Sequence, residues 1–154
     1  MSEQRRIEVV HGVNLDQLGR RDESHYGTLT LPALELAIAE AAGRLGLSAA
    51  FFHTNHEGEL VEHLHRLRDV DGLVLNPGAW THYSYALRDA LELTGLPAVE
   101  VHLSDVDARE PFRGVSVIAD LCVARIAGEG VRGYERALAI LAQRMAPRGA
   151  EVPG

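Results

Sequence analysis

GLVLNPGAWTH, residues 72–82, runs a glycine and three aliphatic residues into a polar, Gly/Pro-punctuated turn. An unbroken apolar run of this length suits a strand buried on both faces, because a half-exposed strand would alternate. The pattern recurs at residues 7–11 (IEVVH), 47–54, 98–103 and 121–127. Between these runs lie helical periodicities at residues 31–45, 57–68, 81–94 and 130–145. The first has Thr30 as an N-cap, Pro32 in its first turn and Gly46 as its stop; the third closes at Gly95. Strands alternating with helices predict a parallel sheet covered on both faces. The expected fold is α/β, a flavodoxin-like three-layer sandwich with a five-stranded parallel sheet. One catalytic domain should span residues 1–154, with a tail loosely packed from about 146. Residues 12–30 form a long polar connection.

Composition narrows the function. A chain of 154 residues with 46% hydrophobic content suits one core. A net charge of −7 argues against a nucleic-acid partner. The lone cysteine, Cys122, cannot form an internal disulfide and fits a reducing compartment. Neither a signal peptide nor a membrane span is legible, so the expected location is cytoplasmic. All 15 cationic side chains are arginine. With no lysine, Schiff-base chemistry, pyridoxal-phosphate attachment and a P-loop are excluded.

Gly128, Gly130 and Gly133 spell GxGxxG. No later strand can supply the acidic residue that grips a ribose, so they read as a strand-to-helix turn. His63 and His65 stand two apart on a helix and point to different faces. No HExxH, CxxC or GxSxG pattern occurs, and neither a metal nor a cofactor is expected.

In open parallel sheets ligands bind beyond the C-terminal strand ends, and the chemistry-bearing residues follow strands here. After the first comes a charged, glycine-bracketed segment with Asn14, Arg21 and Tyr26, the composition of a lid. A nearby cation favours a phenolate, although Tyr26 could equally be a packing anchor in a solvated loop. Asn76 and His82 follow the third strand. Glu100 and His102, two apart on the fourth, point to one side, where a carboxylate would fix the imidazole tautomer and prepare a proton donor. Ser104, Arg109 and Arg113 come next, suited to clamping a carboxylate or hydroxyls. Together these residues suit proton transfer on a small polar acid.

GVNLDQLGRRDESHYG (12–27), LNPGAWTHYSYALRDAL (75–91) and VEVHLSDVDAREPFR (99–113) resemble the motifs of type II 3-dehydroquinate dehydratases, in order and at family spacing. The resemblance implies dehydration of 3-dehydroquinate to 3-dehydroshikimate through an enolate, in a homo-oligomer, a dodecamer built of trimers. It makes Tyr26 the base, with Arg21 lowering its pKa. Asn14 would stabilise the enolate, and His102, oriented by Glu100, would protonate the departing hydroxyl. Asn76, His82, Leu103, Ser104 and Arg113 would hold the substrate, Asp89 would reach a neighbouring subunit's site, and Arg109 would support the lid. Several positions depart from the family pattern: His11 and Val13 within Asn-Gly-Pro-Asn, Asp22 for Glu, Asp105 and Asp107 after Ser104, Tyr83 for a small residue, and the bulk of Trp80. His11 and Val13 are expected to loosen the turn that places Asn14. Asp105 and Asp107 should repel an anion unless paired, for instance with Arg109 or Arg113. They leave open an amino-substituted dehydroquinate as substrate, and a non-catalytic binding protein of the same fold is the other alternative.

Overall fold

The computed structural model describes residues 4–20 and 28–148. Five strands, β1 (Arg6–His11), β2 (Ser48–His53), β3 (Gly72–Asn76), β4 (Ala98–His102) and β5 (Ala124–Ala127), form one sheet. Its order is β2-β1-β3-β4-β5, and every pairing is parallel. Four helices cover it: α1 (Leu31–Arg44), α2 (Glu57–Arg66), α3 (Tyr85–Thr94) and α4 (Val131–Arg144). This is the flavodoxin-like order, and the expected fold class holds.

The strand pleat explains the uninterrupted apolar runs. Val9, Val74, Val99 and Val101 pack on one face against Leu34 and Ile38 of α1 and Leu138 and Leu141 of α4. Val10, Leu73 and Leu75 point the other way, onto Leu60 and Leu64 of α2 and Leu87 and Leu91 of α3. Burying each such side chain stabilises the fold by roughly 1.5–3 kcal/mol, so a polar residue on these strands is tolerated only at their C-terminal ends or with partners.

Three boundaries depart from expectation. The helix expected over residues 81–94 is two elements, a 3-10 turn at Gly78–His82 and α3 from Tyr85. Ser84 divides them, because its extended backbone and its side chain, which accepts the Leu87 N–H at 3.0 Å, start a new helix. The last strand is shorter than residues 121–127, since a 3-10 turn takes Ala119–Leu121. The tail is not loose through its first residues: Arg148 donates to Asp71 at 2.7 Å. The capping of α1 is as read, with Thr30 accepting the Ala33 N–H at 3.3 Å and Pro in the first turn.

One close approach positions the loops that follow β1 and β3. The Gly12 N–H donates to the Asn76 carbonyl at 2.7 Å. A Cβ on Gly12 would lie 2.3 Å from the Pro77 carbonyl oxygen, so no other residue fits without moving backbone. Gly78, at φ 64°, faces the Val13 carbonyl in turn. Asn14 adopts a left-handed φ of 69°, and its N–H donates to Asn55 Oδ1 at 2.8 Å. The turn carrying Asn14 is therefore held at both ends despite His11 and Val13.

Candidate active site

A cavity of about 130 Å3 opens at the C-terminal ends of β1, β3 and β4, as the topology demands. Asn14, Asn76, His82, His102, Leu103, Ser104, Arg109 and Arg113 all line it. Its apolar wall is Val13, Leu15, Leu18 and Val106. The volume is below the roughly 300–1,000 Å3 of drug-sized sites and suits a small acid. A larger hollow, about 360 Å3, lies between α2 and α3 beside the loops entering β3 and β4, at the opposite edge of the sheet. None of the expected site residues lines it.

Beneath the cavity, Glu100 is wholly buried and gripped from several sides. Thr81 Oγ1 donates to its Oε2 at 2.5 Å and Ser116 Oγ to its Oε1 at 2.6 Å. His102 Nε2 lies 2.5 Å from Oε2, and Arg125 Nε donates to the same oxygen at 3.4 Å. Burial would raise the Glu100 pKa, but the hydrogen bond and charge of His102, then the Ser116 and Thr81 hydroxyls, outweigh it and hold the carboxyl below its ordinary value. An ionised carboxylate only accepts, so Nε2 carries the hydrogen and the other ring nitrogen is the one left for proton traffic. His102 is 4% exposed.

The walls are fixed with comparable economy. His82 Nδ1 donates to the Val115 carbonyl at 2.7 Å. Burial, then the charges of His102, Arg113 and Arg125, lowers the His82 pKa against the Val115 bond, favouring neutral imidazole. Asn76 is pinned at both ends of its amide: Oδ1 accepts the Gly78 N–H at 3.1 Å, and Nδ2 donates to Tyr134 at 3.3 Å. Arg113 is ion-paired with Glu110, and its guanidinium carbon stands 4.8 Å over the Phe112 ring. Cys122 lies close enough to Glu100 to feel its charge; burial, then that charge, pushes the thiol up to about 12.

The structure thus brings eight of the expected residues to one cavity, with Glu100 directly below. Arg21, Asp22 and Tyr26 lie outside the described residues. Asp89 is exposed on α3, beside Glu92 and Leu93 and away from the cavity. Asp105 and Asp107 are exposed and do not line it. The partner of Asp107 is Arg125, at 3.5 Å, rather than Arg109 or Arg113. Sequence reasoning missed Thr81, Ser116 and Arg125 around Glu100. It also did not foresee that His11, 0% exposed, would have neither ring nitrogen hydrogen-bonded among the described residues. The three glycines of GxGxxG serve the backbone. Gly128 and Gly130 take φ of 79° and 58°, and a Cβ on Gly133 would press on Ile126 at 3.1 Å.

Comparison with known proteins points one way. The sequence profile of "Dehydroquinase class II" matches residues 5–142. The 3-dehydroquinate dehydratase of Pelobacter propionicus is 48% identical over 136 residues, covering 87% of this chain and 91% of the relative. That of Thermotoga neapolitana is 52% identical over 130 residues, covering 84% and 89%. Among solved structures, the type II dehydroquinase of Propionibacterium acnes superposes with a TM-score of 0.86 at 39% identity, covering 93% of this chain and 99% of that one.

Proposed function

The chain belongs to the class II dehydroquinase family, and from that premise we propose how its cavity removes water from 3-dehydroquinate to give 3-dehydroshikimate. The enzyme is a hydro-lyase whose task is to move one proton off carbon and another onto a departing hydroxyl. Tyr26 takes the proton beside the ketone, as a phenolate favoured by Arg21. Asn14 stabilises the enolate oxygen. His102 delivers a proton to the hydroxyl, held in one tautomer by Glu100. Asn76, His82, Leu103, Ser104 and Arg113 hold the carboxylate and hydroxyls, with Arg109 as a supporting cation.

The observation that carries this reading is the 2.5 Å contact between His102 and a fully buried, ionised Glu100 at the foot of an arginine-bearing cavity. Arg109 and Arg113 line that cavity, and no carboxylate is among its described lining residues. The electrostatics favour an anionic substrate and remove the motive for an amino-substituted one. The Glu100–His102 pair favours catalysis over a binding-only role, because a carboxylate-held imidazole is arranged for proton transfer.

We further propose one catalytic domain, a cytoplasmic location and a dodecamer of trimers in which Asp89 completes a neighbour's site. Among the described residues no helix is long and apolar enough to cross a membrane. Tyr85 and Leu93 of α3, at 70% and 77% exposure, with the neighbouring Tyr83, offer apolar surface for assembly.

The test is the rise in enone absorbance when purified protein meets 3-dehydroquinate. Tyr26→Phe should lose at least roughly 100-fold in kcat, as expected when general-base transfer is removed, while circular dichroism stays unchanged. Chelator and borohydride should leave the wild-type rate intact. Near-wild-type turnover by Tyr26→Phe, or loss under either reagent, would refute the mechanism.

A further inference from the structure

Arg125 stands on β5 directly across from Glu100 in the β4–β5 register, so the sheet itself makes them neighbours. Its Nε donates to Glu100 Oε2 at 3.4 Å, while Nη1 donates to Asp107 Oδ1 at 3.5 Å. The Arg125 side chain is 19% exposed, Glu100 0% and Asp107 58%. Nη2 is buried with no hydrogen-bond acceptor among the described residues. The guanidinium is placed by its charge, between a buried carboxylate that holds His102 and a solvent-facing carboxylate beyond the cavity.

We propose that Arg125 is a positioning residue that sets how readily His102 gives up its proton, acting through Glu100 and counterbalanced by Asp107. The inference rests on the reading of His102 as the proton donor. An uncompensated Glu100 would hold the imidazolium proton tightly and make His102 a weak acid. Arg125 offsets part of that negative field. Asp107 offsets part of Arg125, and its exposure to water limits its share. The chain of charges runs Asp107, Arg125, Glu100, His102, each opposing the last. This gives Asp107 a role in proton transfer although it does not line the cavity.

Other groups face the same pair. Thr81 and His82 approach from the 3-10 turn after β3, Ser116 and Arg113 from the segment after β4, and Cys122 from the approach to β5. Among the described residues only Arg125 donates both to Glu100 and to a second carboxylate, so the two ends of this charge chain can be varied separately.

The experiment measures kcat and KM against pH for wild type, Arg125→Gln, Arg125→Lys and Asp107→Asn. Arg125→Gln should lower kcat roughly three- to tenfold with KM within about twofold, since it weakens the acid and not substrate binding. It should move the alkaline limb of kcat, where the His102 proton is lost, upward by roughly half a pH unit. Arg125→Lys, which keeps the charge, should restore most of both. Asp107→Asn should move that limb downward. Opposite displacements are the signature, because a purely structural role would move neither limb in a charge-dependent direction. Unmoved limbs, or displacement of both variants in one direction, would overturn the proposal. If Arg125→Gln does not fold, the exposed Asp107→Asn decides alone: a downward limb supports the idea and an unmoved one ends it. His102→Gln separates this inference from the functional reading. Retained turnover there removes the donor assignment and the inference together; lost turnover with unmoved limbs removes only the inference.

Discussion

At the scale of single residues, His11 links burial to acid stability. It ends β1 with no exposed surface, its ring parallel to Phe51 at 6.1 Å. Its Nε2 is 3.3 Å from Glu35; burial raises the pKa of that carboxyl above its ordinary value, which weakens any pairing with an imidazolium. Burial, then the charge of His53, lowers its pKa from 6.5 to about 4. The unfolded chain takes up this proton below about 6.5 and the folded chain only near 4. Stability is therefore constant above that window, falls as pH drops through it, and loses no more below. The full loss is about 3 kcal/mol and the loss at pH 5 about 2 kcal/mol. Glu100 acts in a separate window, with its stabilisation present above its ordinary value of 4.5 and lost as pH falls further. Urea unfolding of wild type and His11→Asn at pH 7 and pH 5 should show the variant losing less stability on acidification; equal losses would remove His11 as the cause. Neither this site nor the grip on Glu100 was legible in the sequence. Spacing put Glu100 and His102 on one side of a strand, a local fact. Thr81, Ser116 and Arg125 reach Glu100 from three other segments, and no periodicity records which distant loops converge.

Elements were more legible, because a parallel strand buried on both faces must be written in aliphatic residues, and β1, β3 and β4 were. The misread boundaries are places where a side chain competes with the backbone pattern. Ser84 offers its hydroxyl to the Leu87 N–H and so begins α3 four residues after the apolar periodicity does. The stretch before β5 is apolar enough to pass for strand, but its Ala119–Leu121 portion is a 3-10 turn whose Leu121 packs with Leu87 and Leu91 of α3. The contact between the loops after β1 and β3 belongs to this scale too. Gly12→Ala would place a methyl 2.3 Å from the Pro77 carbonyl. It should cost on the order of 3 kcal/mol, the upper range for overpacking, and displace Asn14. Thermal unfolding should show a fall of several degrees, and kcat should drop with it; an unchanged melting temperature would mean the two loops yield easily.

For the whole molecule, the arrangement concentrates function at one edge of the sheet and leaves apolar side chains of α3 facing outward. If those side chains are covered by copies of the chain, sedimentation should give a mass that is a multiple of three times 16.8 kDa. Asp89→Asn should then lower turnover without altering that mass. A monomer with full activity would contradict the assembly. One further property follows from the way Cys122 is enclosed beside Glu100. A thiol held near 12 is almost never a thiolate at neutral pH, so the native fold makes its only thiol a poor nucleophile. Alkylation should be slow in the native fold and faster whenever the approach to β5 opens. The protein thus carries a built-in chemical clock, and its ticking reports how often that approach opens.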